Sequence, residues 1–320
     1  MENNVWYDLF LETLYKKFPK RQDLFKALSD LLFIEREAVY RRIRRDVVFT
    51  AYEIAKIATE WNISLDDVIG IDSGRVHFQM REINYLNPSE EEMKFLWAVI
   101  QGLNNIQNYY DTEFMDIGNK LPRQLLAGYK YLNQFYLFKW IFQYSHNTEV
   151  IPFSHAIESK EKAHLTSEYY KAIKTVPNSN FIWDRKIFEN MISDIRYFVS
   201  ISMITVEEKN LIKKDIHDLL DYLFVVANEG FYPETKNKVN IYVSELNIDT
   251  NYSYTFSKEA NICFVHVFEK LELYSYNPQM VLFFKDWMQL KKKSSVQISV
   301  VDERCRIEYF NKQRQIIDEL

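Results

Sequence analysis

The sequence predicts a mainly α protein in two parts. An N-terminal five-helix domain covers residues 1–73, and after a linker at 74–88 a larger α+β body with a small antiparallel sheet covers 89–320. Three observations carry this. Apolar residues recur at spacings of three and four through most of the chain, the period of helices that bury one face. Near Val239 the period changes to alternation, the mark of strands. The stretch Asp23 to Ile71 breaks into short amphipathic segments with cap residues between them, a layout set apart from the rest.

Val5 to Phe18 reads as the first helix, and Asp23 to Leu32 as the second, with Leu24, Ala27, Leu28 and Leu31 on one face and Asp23 as N-cap. Only Phe33-Ile34-Glu35 separates it from a third helix reaching Arg45, which leaves room for nothing but a tight helix–helix corner. On that third helix Val39 and Ile43 share one face. At roughly 100° per residue, Arg41 falls almost opposite them, with Glu37, Arg44 and Arg45 within about 60° of it and Tyr40 nearer the side. Phe49 to Ala58 reads as a fourth helix opened by a Thr50/Glu53 capping box, and Asn62 to Gly70 as a short fifth, with Ser64 and Asp67 as a second box.

Two helices at a sharp corner, the second fronted by arginines and set among five helices in this order, resemble the helix-turn-helix of Cro- and repressor-type (Xre-like) transcription regulators. The resemblance covers about a fifth of the chain. It implies that the helix at about 36–45 enters the major groove of double-stranded DNA while its partner braces it against the backbone. It thereby marks Arg36, Glu37, Tyr40, Arg41, Arg44 and Arg45 as the DNA-binding residues. The family favours Gly in the corner and commonly another closing the recognition helix, where this sequence has Phe33 and Arg45-Asp46. It often has Ser or Thr as cap ahead of that helix, where Glu35 stands here.

Composition fits a globular protein, with 47% hydrophobic and 27% charged residues among 320. Aromatics are high at 16%, with 22 Tyr and 23 Phe, so bulky flat side chains are expected in the cores. The net charge of −5 excludes a molecule that binds polyanions over its whole surface. From Arg36 to Arg45, however, five arginines face one glutamate, a local net of +4. Cys263 and Cys305 have no metal-ligand spacing and no disulfide framework, which suits a reducing, cytoplasmic setting. Neither a signal peptide nor a membrane-spanning run is expected.

Along the body, Val76-His77-Phe78 reads as a possible extended piece in the linker, and Asn87-Pro88-Ser89 as the start of a helix with Glu90, Glu91 and Glu92 in its first turn. That helix carries a Met93/Leu96/Ile100/Leu103 stripe, read as core or as a dimer contact. Leu121 to Tyr144 is expected to be helical and buried on several sides, 147–160 a loop, 165–173 a short helix, and Pro177-Asn178-Ser179-Asn180 a turn. Helices at about 184–202 and 206–228 follow, the second opened by Thr205 and Glu208 and closed by Gly230. Strands are expected at 239–243, 252–256 and 262–268 as an antiparallel meander, then a helix at 278–290, an extended piece at 296–300 and a closing helix from Arg304.

Six glycines offer no phosphate-binding loop, dinucleotide fingerprint or nucleophile elbow. The six histidines have no metal-helix spacing. His266 and Cys263, three apart on a strand, point to opposite faces. Asp215, His217 and Asp218 read as a solvated face with Lys213 and Lys214, and Lys291-Lys292-Lys293 as favourable charge at a helix end. No enzyme activity, cofactor or metal is therefore expected. The expectation is a cytoplasmic, homodimeric DNA-binding regulator, with a small-molecule effector for the body and no membrane partner. The alternatives are a protein–protein interaction module using the helical head, and an enzyme tethered to DNA by it.

Overall fold

In a computed structural model, residues 5–18, 20–61, 63–69, 78–85, 88–144, 151–258, 261–267 and 270–320 are described. The chain divides into two compact units, Met1–Arg75 and Val76–Leu320.

The first unit contains α1 (Val5–Lys17), α2 (Arg21–Leu32), α3 (Arg36–Ile43), α4 (Ala51–Glu60) and α5 (Leu65–Ile69). Tyr7, Phe10, Leu14, Leu24, Leu28 and Val39 are buried in its core. The buried Tyr7 hydroxyl donates to the Arg42 carbonyl at 3.1 Å and accepts the Phe49 N–H at 3.1 Å, tying α1 to both ends of the α3–α4 connection. Both places where the resembled family prefers Gly are left-handed here without one. Phe33 has φ 56° and Arg45 φ 68°. Each ends its helix with a six-to-one hydrogen bond, Ile34 N–H to the Ser29 carbonyl and Asp46 N–H to the Arg41 carbonyl. The capping box at Thr50 and Glu53 is formed, whereas Glu35 makes no side-chain cap. The second box cannot be followed, because the Asp67 side chain lies outside the described residues.

The second unit overturns the expected fold class. It holds one eight-stranded mixed sheet in the order β1-β7-β6-β5-β2-β3-β4-β8, with helices on both faces. The strands are β1 (Gln79–Glu82), β2 (Glu113–Gly118), β3 (Asn178–Asp184), β4 (Lys238–Ser244), β5 (Tyr252–Phe256), β6 (Asn261–Val267), β7 (Leu271–Ser275) and β8 (Ser295–Gln297). The helices are α6 (Glu90–Ile106), α7 (Arg123–Leu126), α8 (Lys130–Tyr144), α9 (Lys160–Ile173), α10 (Ile187–Ser200), α11 (Val206–Glu229), α12 (Pro278–Lys291) and α13 (Glu303–Asp318). A mainly α body with a small antiparallel sheet is therefore incorrect.

The error has a physical cause. β2 is buried at every position although it carries Glu113 and Asp116, so it shows no alternation. β3 begins with Asn178-Ser179-Asn180, which reads as a turn. In the fold those amides are cross-strand glue: Asn180 donates to Glu113 at 3.1 Å and Asn240 to Asn180 at 3.1 Å. β4 does not continue into a meander. It pairs in parallel with β3, which pairs in parallel with β2. β5, β6, β7 and β1 extend the other side of β2, all antiparallel. β1 falls inside the stretch read as linker, and residues 76 and 77 of the extended piece expected before it lie outside the described residues.

The crossovers β2–α7–α8–α9–β3 and β3–α10–α11–β4 step the same way along the sheet, so same-handed connections put their helices on one face. Phe114, Phe181, Trp183 and Ile241 meet those helices in the main core, and Met115, Ile182, Tyr254 and Cys263 meet α12 on the other face. Ile100 and Leu103 of α6 are buried in the main core, with Met93 and Leu96 packed against it, so the stripe weighed as a dimer contact is occupied within the chain. Asp215 is not simply solvated: its carboxylate accepts the Tyr131 and Leu132 N–H groups at 2.6 and 3.0 Å, capping α8. Lys292 donates to Asn180 at 3.2 Å.

Candidate functional sites: an arginine-fronted helix and a body cavity

α3 sorts its arginines. Arg42 turns inward and grips Glu53 with two hydrogen bonds, 2.7 and 3.1 Å, while donating to the Ala38 carbonyl at 3.1 Å. Burial works against the Glu53 charge, but the bonds from Arg42 and the Thr50 N–H prevail and hold its carboxyl below the ordinary range. Arg36, Glu37, Tyr40, Arg41, Arg44 and Arg45 are all exposed. The helix closes at Ile43, two residues earlier than expected, so Arg44 and Arg45 belong to the turn beyond it. Arg45 pairs with Asp8 at 2.6 Å and Arg44 lies over the Tyr40 ring at 5.3 Å. Tyr40 in turn leans on Phe25, centroids 5.9 Å apart. Arg36 and Arg41 make no side-chain hydrogen bond or ion pair with any described residue. Arg42 was absent from the sequence-derived set; its link to Glu53 needed the α3–α4 geometry to become visible.

The body contains a cavity of about 550 Å3, within the range of small-molecule sites. Its floor is the antiparallel half of the sheet, where Asp116, Ser253, Phe264, His266, Glu272 and Arg81 share one face across five strands. Its roof is α6, α8 and α9, and its rim is the loops 119–122 and 249–251 with Arg123 and Gln124 at the start of α7. Gly118 is needed at that rim, since a Cβ there would come within 2.1 Å of the Asn251 side chain. Asn251 in turn holds the backbone of Lys120 through two hydrogen bonds.

Most charges in the cavity are paired. Glu272 takes a hydrogen-bonded ion pair from Arg81 and faces His266 Nδ1 at 3.3 Å. Burial would raise the Glu272 carboxyl, but the two cations outweigh it and bring it down to about 2. Lys162 meets Glu92 at 3.3 Å, and its ammonium is lowered from its usual range by burial, which the Glu92 charge only partly offsets. Arg123 lies over the Tyr85 ring at 4.0 Å and bonds Asn133 at 3.0 Å. Tyr85 and Trp140 meet edge to face at 5.5 Å.

Asp116 is the exception. It is 3% exposed, and no described residue hydrogen-bonds to its carboxyl, whose Oδ1 is fully enclosed. Burial raises its pKa to about 7 against a small opposing pull from His266. The Trp140 Nε1 and Arg81 Nε donors are enclosed and unpartnered as well.

None of the cavity residues was singled out from sequence as a site. His266 was read as a sheet residue, and so it is, but its partner Glu272 lies on a strand the alternation did not reveal. Among the described residues no cluster of three metal-ligating side chains occurs, and no helix is long and apolar enough to cross a membrane. Comparison with protein families, with curated proteins and with solved structures gave no match to this chain.

Proposed function

We propose that this protein is a sequence-specific DNA-binding transcription regulator whose α3 helix reads the major groove. What supports the reading is the division of labour on α3: Arg42, Val39 and Ile43 are committed inward, while Arg36 and Arg41 stand exposed and unspent. Guanidinium groups in that position suit guanine edges and phosphate oxygens. Arg41 is assigned to base edges, and Arg44 and Arg45 to phosphates, with Arg45 giving up its contact to Asp8. A cytoplasmic location goes with this reading, supported by two free thiols, Cys263 and Cys305. So does a homodimer held through the body, since such domains commonly occupy paired half-sites. Sedimentation of the full chain at roughly tens of micromolar, well above the dissociation constants of stable interfaces, tests the dimer. A monomer there refutes it.

The DNA reading is tested by selecting an operator from random duplexes and measuring variants against it. Arg41→Ala is expected to lose about 1–3 kcal/mol and relax preference at one base position. Arg45→Ala is expected to weaken all sequences alike and to shallow the salt dependence by roughly one phosphate contact. Folded variants that bind like the parent exclude α3 as the reader. One observation favours a second reading, a protein-interaction head: Phe33 and Tyr52 are 86% and 75% exposed on the same unit. Under it, Phe33 and Tyr52 substitutions abolish partner capture, and no salt-dependent DNA binding is seen.

A further inference from the structure

The body cavity has two chemically different ends. At one, Asp116 is a buried acid for which the protein supplies no hydrogen bond. That is unusual, because a buried carboxylate without a partner is costly and native structures nearly always supply one. The other buried acids of the cavity are paired, Glu92 with Lys162 and Glu272 with Arg81 and His266. Asp116 is faced by Ser253 across the strand pair, and its charge is felt by His266 on β6, Tyr169 on α9 and Tyr232 beyond α11. No lysine or arginine pairs with it among the described residues. At the other, Arg81, Arg123 and Lys162 come close enough for the two guanidinium groups to disfavour the Lys162 charge, each beside its own carboxylate, Glu272, Glu158 at 3.5 Å and Glu92 at 3.3 Å. Tyr85, which lies under Arg123, Trp140 beside it and Phe264 add aromatic lining, with the Trp140 Nε1 donor unpartnered.

An enclosed acid awaiting a positive nitrogen, a second polar cluster whose cations are balanced by Glu272, Glu92 and Glu158 but still hold spare N–H donors such as Arg81 Nε, and flat apolar residues are complementary to a molecule carrying an ammonium and a carboxylate on an apolar frame. We propose that this cavity binds a small zwitterion, an amino acid or dipeptide. Its ammonium group would sit on Asp116, its carboxylate toward Arg81, Arg123 and Lys162, and its side chain against Tyr85, Trp140 and Phe264. The volume of about 550 Å3 leaves room for either size. The inference stands on the body alone and does not depend on the DNA reading.

The test is calorimetric titration of the full-length protein at pH 7.5 with the proteinogenic amino acids and the dipeptides of Phe, Tyr and Trp. For the tightest amino acid, its decarboxylated amine and its deaminated acid are titrated too. Saturable binding by at least one zwitterion is expected, with each singly charged counterpart at least tenfold weaker. Asp116→Asn should weaken the zwitterion at least tenfold and leave the deaminated acid unchanged. Should that variant not fold, the parent supplies the same discrimination: zwitterion affinity falls as pH drops below 7, while that of the deaminated acid does not. The proposal is overturned if no member of the panel binds at about 10 mM, if the deaminated acid binds as tightly as the zwitterion, or if Asp116→Asn binds the zwitterion like the parent.

Discussion

Asp116→Asn should make the body more stable, and only above acid pH. An acid whose pKa is higher folded than unfolded holds its proton more tightly in the native state. Between the two pKa values the native state therefore binds more protons than the unfolded one, and stability falls as pH rises. For Asp116 that window runs from 3.8, its ordinary value, to about 7. A gap of about three units at 1.36 kcal/mol each gives about 4 kcal/mol, an upper figure because a cavity that admits water softens the penalty. Asparagine has nearly the same shape and carries no charge. It should thus match the parent at pH 4 and exceed it at pH 8 by about 2–4 kcal/mol. Hydrogen exchange of the β2 and β3 amides reports on the body separately from the N-terminal unit. The reasoning is refuted if the variant gains nothing at pH 8, or if its gain is the same at both pH values. A gain in stability joined to a loss of ligand binding would mark Asp116 as a group kept at the expense of the fold.

Glu53→Ala removes a bidentate pair and half of a capping box, together about 2–4 kcal/mol for groups only partly shielded; exchange in α3 and α4 should speed at least thirtyfold while the body is unchanged. Because the folded Glu53 carboxyl is depressed, its contribution is present above the unfolded pKa and lost as pH falls through the folded one, so the same contrast should shrink in acid. Asp215→Ala leaves two α8 N–H groups without their acceptor and should cost about 1–2 kcal/mol, with Asp215→Asn closer to the parent; urea titration checks this. At the corner, Phe33→Gly should be more stable than Phe33→Ala by about 1 kcal/mol in thermal melts, because only glycine is free of the left-handed penalty at φ 56°.

The N-terminal unit was legible because its signals are local. The Val39/Ile43 seam, the short corner and the Thr50/Glu53 box are read within a few residues of one another, and five helices appear in the expected order, although α2 begins at Arg21, which puts Asp23 in its first turn instead of at its N-cap, and α3 closes at Ile43. The body's helices were legible for the same reason, down to the Thr205 box and the Gly230 cap at φ 75°. Its sheet was not. The central strands β2 and β3 are buried on both faces and carry Glu113, Asp116, Asn178 and Asn180, so neither alternation nor a clean apolar run survives in them. Except for Asp116, their polar side chains are tolerated through partners far away in sequence, such as Gln289 on Glu113 at 2.8 Å. The candidate cavity inherits this illegibility, since β1 and β7 supply Arg81 and Glu272 and neither strand showed itself.

The position of the cavity follows from that sheet. β2 is the strand at which pairing changes, parallel toward β3 and antiparallel toward β5. The crossover helices cover the parallel half, because they connect its strands, and pack Phe181, Trp183 and Ile241 into solid core. The antiparallel half is spanned by one long crossover, β1–α6–β2, which joins two parallel strands with three others between them. On the same face its cover is α6, which enters from β1, together with parts of α8 and α9. Together these helices leave a gap where the pairing changes, and its rim is the loop at the carboxyl end of β2, Asn119 to Pro122. Open α/β sheets place ligands outside the carboxyl ends of strands where the topology switches, for this geometric reason. Asp116, two residues before that end and facing the gap, is where a polar group would have to stand to meet whatever enters.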